Sequence, residues 1–266
     1  MYLTIACIAK NEPPQDLEEF INHHRAVGVE HIYIYDNESA IPIRLTHAKY
    51  IEAGHITVID WPGRGKQMPA YTDALKRFGT TSRWMAWVDS DEFLNPKEPH
   101  TSVPEVLQWY EAFAGLAVSW VLFGSGGLIQ RPPGLLTELF TSATQLDHYE
   151  NTHCKVIVQP ARTLMAGSNP HYAIYKPGDN NVAVSTDYQI VPNAWNKNIT
   201  DTLQLNHYFL KTRQDFEKKI LKGRADVADP KIPGRRIEDF DYFDSLYDHQ
   251  DTTIQRFIST TKKLYL

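Results

Sequence analysis

Short apolar runs rich in β-formers alternate with amphipathic stretches through the first third of the chain, and this alternation narrows the fold most. Leu3 to Ala9 reads as a buried strand. Asp16 to Val27 places Leu17, Phe20, Ile21, His24 and Val27 at helical spacing, with Pro13 and Pro14 before it and Gly28 after it. His31 to Tyr35 is a second strand, residues 43–53 a helix closed by Gly54, and His55 to Trp61 a third strand. Gln67 to Phe78 is a further helix, and Trp84 to Val88 a fourth strand. Strand and helix in strict alternation predict an α/β domain with a mostly parallel sheet. In such sheets ligands bind beyond the carboxyl ends of the strands. Lys10 to Glu12, Asp36 to Ser39 and Asp89 to Glu92 fall at those ends, so three strand ends should meet at one crevice.

The rest is less regular. Val103 to Phe113 looks helical, and Leu116 to Phe123 looks like a strand, followed by the turn Gly124-Ser125-Gly126-Gly127. Residues 153–192 suggest several short strands, which implies mixed or antiparallel additions to the sheet. Leu203 to Leu210 reads as a strand, Gln214 to Leu221 as the start of a helix, and two more helices are expected near 238–247 and 252–264. Pro230 to Gly234 is the best candidate for a mobile loop. No repeat or low-complexity segment is visible.

Composition excludes some classes. The net charge of −5 argues against a dedicated nucleic-acid binder. With 42% hydrophobic and 22% charged residues, the chain can bury an ordinary core. Cys7 and Cys154 are too few for a disulfide framework or a cysteine zinc site, so a reducing, cytoplasmic setting is the default expectation. Cys7 reads as a core thiol. The first apolar run is cut short by Lys10, Asn11 and Glu12, and no window approaches a membrane span of about 18 apolar residues. The chain should be soluble, or at most attached to a membrane surface, such as the inner face.

The sharpest motif is WVDSDEF, with Asp89 and Asp91 just after an apolar strand. Two carboxylates one residue apart at a strand end suit a hard cation such as Mg²⁺ or Mn²⁺, which keeps positions for phosphate oxygens. A solvated acidic turn is the alternative. A third ligand would be His207, His153 or His171, each of which also reads as a satisfied core histidine. Between 211 and 224, Lys211, Arg213, Lys218, Lys219, Lys222 and Arg224 outnumber Asp215 and Glu217. This stretch could neutralise a diphosphate or simply be a solvated helix face. The glycine turn lacks a following GK[ST], and GxGxxG, GxSxG, HExxH and CxxC are all missing.

The segments IACIAKNEPPQDLEEFINHHRAVGVEHIYIYDNES and WMAWVDSDEFLNP, with Gln67 and Tyr71 between them, resemble glycosyltransferases of the GT-A fold. The chain is most similar to the family-2-like and family-92-like members, and KVIVQP, His171 and NHYFLKTRQDFEKKILKGRAD extend the match. The resemblance implies a mixed, mostly parallel Rossmann-like sheet flanked by helices. It places a nucleotide-sugar-binding and catalytic domain over 1–226; residues 227–266 lie outside the match and are expected to be a helical extension packed on the same domain. It implies a UDP-hexose donor, galactose first, an inverting transfer to a glycan or glycolipid hydroxyl, and Mn²⁺ or Mg²⁺. Asp89, Asp91 and His207 would hold the metal. Lys10, Asn11, Glu12, Asp36 and Asn37 would cradle the nucleoside, with Gln67, Ser90, Lys155, His171 and Lys211 as further donor contacts. Glu138 resembles a family Glu often followed by Arg-Phe, although Leu139 replaces the Arg here, and would be the base; Asp147 and Glu150 are rivals. Two other classes remain: a nucleotidyltransferase or metal-dependent phosphoesterase, and a non-catalytic sugar-binding module.

Overall fold

The computed structural model describes residues 1–229 and 231–266. Pro230, where the expected mobile loop begins, lies outside the described residues. In chain order the elements are β1 (Leu3–Ala9), α1 (Pro14–Ala26), β2 (His31–Asp36), α2 (Ile43–Thr46), α3 (Ala48–Glu52), β3 (Ile56–Asp60), α4 (Gln67–Phe78), β4 (Trp84–Trp87), β5 (Glu92–Pro96), α5 (Val103–Leu107) and β6 (Gly115–Leu122). They continue with α6 (Leu136–Leu139), β7 (Ser142–Thr144), β8 (Cys154–Val158), β9 (Thr163–Ala166), β10 (Ala173–Tyr175), β11 (Ala183–Val184), β12 (Leu203–His207), α7 (Arg213–Lys222), α8 (Ile237–Asp244), β13 (Tyr247–Gln250) and α9 (Ile258–Lys263).

The main sheet runs β3-β2-β1-β4-β8-β6-β12-β5, with β11 beside β6. Pairs β1–β2, β2–β3, β1–β4, β6–β12 and β6–β11 are parallel. Strand β8 is antiparallel to both β4 and β6, and β5 is antiparallel to β12. The sheet is therefore mixed and mostly parallel, as the alternation predicts. All seven residues of β1 are buried, because helices or loops cover both faces. One face packs Leu17, Phe20 and Ile21 of α1; the other packs Ala70, Tyr71 and Ala74 of α4.

Local chemistry explains the borders. Helix α1 starts with Pro14 in its first turn, where a missing N–H costs nothing. It stops at Gly28, whose φ is 97° and whose absent Cβ would sit 2.7 Å from Pro104. The helix expected over 43–53 is two short helices broken at His47. The helical run from Val103 to Phe113 shrinks to α5 and a 3₁₀ turn over Gln108–Tyr110. The expectation for the C-terminal part needs a correction. Tyr247 to Gln250 leave the helix and pair with β7 as a strand, so residues 227–266 are not purely helical.

Two buried histidines fasten α1 to β5. His23 Nε2 donates to the Leu94 carbonyl at 2.8 Å. His24 Nδ1 donates to Phe20 O at 2.9 Å, which leaves Nε2 to accept from the Leu94 N–H at 3.3 Å. Burial holds His23 down to about 4 and His24 well below the usual imidazole range. The unfolded chain takes up these protons near pH 6.5 and the folded chain does not. Their contribution is thus whole above that pH and is lost as pH falls toward 4. Between pH 7 and 4.5, wild type should lose about 2–3 kcal/mol more than His23→Gln, whose amide can still donate to Leu94. Urea unfolding of both at each pH measures this; equal losses would contradict it.

Candidate active site

A cavity of about 560 Å³ opens beyond the carboxyl ends of β1, β2 and β4. Lys10 and Glu12 follow β1, Asn37 and Glu38 follow β2, and Asp89, Ser90 and Asp91 follow β4; all line it. The three strand ends do meet.

The D-x-D turn is built by its neighbours. Glu92 Oε2 accepts from the Asp89 N–H at 2.8 Å, and Glu92 N donates back to Asp89 O at 3.0 Å. Strand β12 lies antiparallel to β5 with His207 opposite Glu92. That register carries His207 to the turn, where its Nε2 lies 3.6 Å from Asp91 Oδ1. The Tyr208 N–H donates to Asp91 O at 2.9 Å and fixes the approach.

Charge then sorts the two aspartates. Lys219 of α7 donates to Asp91 Oδ2 at 2.7 Å and to Phe209 O at 2.8 Å. Burial alone would raise the Asp91 carboxyl, but Lys219 and His207 outweigh it and hold it well below the usual range. Burial pushes Lys219 down to about 8. Asp89 faces the other way. Its Oδ1 accepts from Gln67 Nε2 at 2.5 Å and Tyr71 OH at 3.2 Å, and its Oδ2 lies 2.9 Å from Lys155 Nζ. Lys155 is 1% exposed, and Glu92 lies 3.4 Å from the same ammonium. Burial disfavours that charge, yet Asp89 and Glu92 together hold it. Removing one member of a buried charge cluster strands the others. Lys155→Met should therefore cost about 3–5 kcal/mol in urea unfolding, and a loss below about 1 kcal/mol would contradict the buried cluster.

The expected contacts are partly redistributed. Asn11 and Asp36 do not line the cavity; they shape the loop beside it. Asn11 Oδ1 accepts from Ala40 N at 2.8 Å, and Asp36 accepts from Ser39 N at 3.0 Å and Ile43 N at 2.9 Å. Lys155 sits beneath Asp89, as a counter-charge and not among the lining residues. Lys211 is also displaced, its Nζ held by Asp16 at 2.6 Å. Lys219 and Lys222 line the cavity instead, the latter paired with Glu12. Those two lysines lie three apart on α7, a helical spacing visible in the sequence. Gln67, Ser90 and His171 do line the cavity.

The three-residue metal set does not converge. Among the described residues no group of three His, Cys, Asp or Glu side chains is placed to hold an ion. Asp91 and His207 stand together, while both oxygens of Asp89 are engaged elsewhere. Glu138 is outside the cavity altogether. It caps α6 through Leu135 N at 3.1 Å and pairs with Lys262 at 2.5 Å, which lowers its pKa. Of its rivals, Glu150 lines the cavity and Asp147 does not.

The sequence from Thr4 to Lys231 matches the model of glycosyltransferase family 92. The chain belongs to that family. No curated protein matches it. Among solved structures, TarS of S. aureus has 13% identity and a TM-score of 0.37, over 60% of this chain and 29% of that one. Its 1–349 fragment in complex with UDP has 15% identity and a TM-score of 0.35, over 60% and 47%. Glucosyl-3-phosphoglycerate synthase from Mycobacterium tuberculosis with Mn²⁺, UDP-glucose and phosphoglyceric acid has 17% identity and a TM-score of 0.32, over 60% and 57%. The chain therefore spans less than two thirds of each of these structures, and likeness of this order carries no functional argument. Among the described residues no helix is long and apolar enough to cross a membrane.

In this family 92 chain the cavity also contains residues that the motifs did not single out. Trp120 of β6 lies on the wall, 4.4 Å from the His207 ring. Arg235 lines the cavity and stands 5.7 Å from the Phe209 ring. Residues 223–227 and 232–235 form one rim. That rim rests on Gly65, where an added Cβ would sit 2.9 Å from the Ala228 backbone. Of this rim, Arg224 belongs to the basic stretch and 232–234 to the loop visible in the sequence, whereas Arg235 has no local signal.

Proposed function

We propose that this cavity binds a UDP-hexose and passes its sugar, with inversion, to a glycan hydroxyl. The observation that carries the reading is the meeting of Asp91, His207 and Lys219 in one cavity with Glu150. The nucleoside would lie against Lys10, Glu12, Asn37, Glu38 and Gln67. The diphosphate would lie by Lys219, Lys222 and Arg235, cations set out before the charge develops. Glu150 would take the acceptor's hydroxyl proton as the new C1–O bond forms and the bond to the diphosphate breaks; UDP leaves with that electron pair.

The donor chemistry suits a divalent cation. Asp91 is ionised, His207 Nδ1 is a buried nitrogen with no described partner, and the pair leaves positions for phosphate oxygens. Asp91 and His207 would hold Mn²⁺ or Mg²⁺, with Asp89 behind them as a charge-balanced support. When bound, the ion would offset charge on the leaving diphosphate.

UDP release with Mn²⁺, measured over UDP-galactose, UDP-glucose and other nucleotide sugars with a panel of acceptor glycans, tests the reading. Galactose is the first donor to try, on the sequence resemblance. Saturable UDP binding and acceptor-dependent UDP release are expected. Absence of both would overturn the proposal.

A further inference from the structure

Beside Glu150 the cavity wall is aromatic. Trp120 stacks on His153 with centroids 5.3 Å apart and planes at 28°. It meets His171 edge-on at 5.0 Å, and His171 lies 5.3 Å from His153. Trp120 and His171 both line the cavity. His153 ties this stack to the Glu150 segment, its Nδ1 donating to Glu150 O at 3.0 Å.

The polarity of the wall is set by its hydrogen bonds. His171 Nδ1 lies 2.9 Å from the Cys154 carbonyl oxygen, so that nitrogen must donate. The lone pair is then on Nε2, which has no hydrogen bond among the described residues. Burial and the nearby Lys155 keep the ring neutral at pH 7. The Lys155 ammonium itself is spent on Asp89 and Glu92. The wall therefore offers ring surface and one neutral acceptor. A phosphate or carboxylate would seek a cation, and Lys155, the one beside His171, is already paired. A pyranose presents a C–H face for the rings and hydroxyl donors for Nε2.

We infer that Trp120 and His171 form the acceptor subsite, and that the accepting unit is an uncharged pyranose whose hydroxyl donates to His171 Nε2. The inference rests on the transferase reading above. It assigns the wall to the acceptor because the base must touch the accepting hydroxyl and His153 couples Glu150 to this stack. The exposed Trp195 ring, 6.0 Å from His153, continues the aromatic surface outward, toward further sugars of a glycan.

Titrating methyl glucoside, galactoside and mannoside into the UDP-loaded protein, read by saturation-transfer NMR, tests the assignment. At least one pyranoside should bind wild type. His171→Leu should weaken it about tenfold, the scale of one lost hydrogen bond, while UDP affinity stays within about twofold. His171→Gln, which keeps an acceptor oxygen, should recover most of the loss. Equal pyranoside binding in His171→Leu, no pyranoside bound by UDP-loaded wild type, or a matching fall in UDP affinity would each overturn the inference. Failure of UDP to bind wild type would instead remove the transferase reading beneath it.

Discussion

Asp91→Ala should lower kcat/KM for the nucleotide sugar by about 10²–10³-fold and remove the part of UDP binding that depends on a divalent ion. Asp91 is the carboxylate whose charge the site preserves. Lys219 at 2.7 Å and His207 at 3.6 Å keep it ionised against the burial that would protonate it. Asp89 differs, because Gln67, Tyr71 and Lys155 occupy its oxygens. The two aspartates should thus separate experimentally. Asp91→Ala should lose some stability as well, because buried Lys219 keeps only the neutral Phe209 carbonyl as an acceptor, but its distinguishing loss should be in divalent-dependent UDP binding. Asp89→Ala should destabilise the fold, because it leaves buried Lys155 with Glu92 alone, while divalent-dependent UDP binding is reduced less than in Asp91→Ala. Calorimetric titration of UDP with Mn²⁺ and with chelator, beside urea unfolding, reads both. Undiminished Mn²⁺-dependent UDP affinity in Asp91→Ala would contradict the assignment.

Glu150→Gln should lower kcat by about 10²–10⁴-fold, the span of a lost general base, with UDP affinity unchanged. Glu138→Gln should be nearly as active as wild type. Both carboxylates follow the glycine turn after β6, yet they end in different places. Glu138 faces Lys262 on α9, where an exposed pair contributes little. Glu150 enters a 3₁₀ turn over Tyr149–Thr152 that returns its side chain to the cavity. Steady-state rates for the two variants decide between them. A large loss in Glu138→Gln with Glu150→Gln unaffected would reverse the assignment.

The parts of the fold visible in the sequence are those set by local periodicity. Helix α4 falls over Gln67–Phe78 as its spacing predicts, and β1 over Leu3–Ala9. The crevice follows from those strands, because polar residues at their carboxyl ends have one place to go. The long-range partners were hidden. Lys155 reads as a donor contact, but it lies on β8, antiparallel between β4 and β6, and that position buries it under Asp89. Lys211 and Lys219 sit in one basic stretch, and only the direction of α7 turns the second toward Asp91. Tyr247 to Gln250 carry helix-like aromatic spacing before them, yet they pair with β7, a choice made by tertiary contact. Glu138 and Glu150 could be separated only by where α9 packs.

Diffraction from a crystal soaked with UDP and Mn²⁺, collected at the manganese edge, tests the central claim most directly. An anomalous peak is predicted within ~2.3 Å of an Asp91 carboxylate oxygen and a His207 ring nitrogen, with the diphosphate beside Lys219 and the nucleoside against Lys10, Asn37 and Glu38. UDP bound elsewhere, or bound here with no manganese between Asp91 and His207, would contradict it.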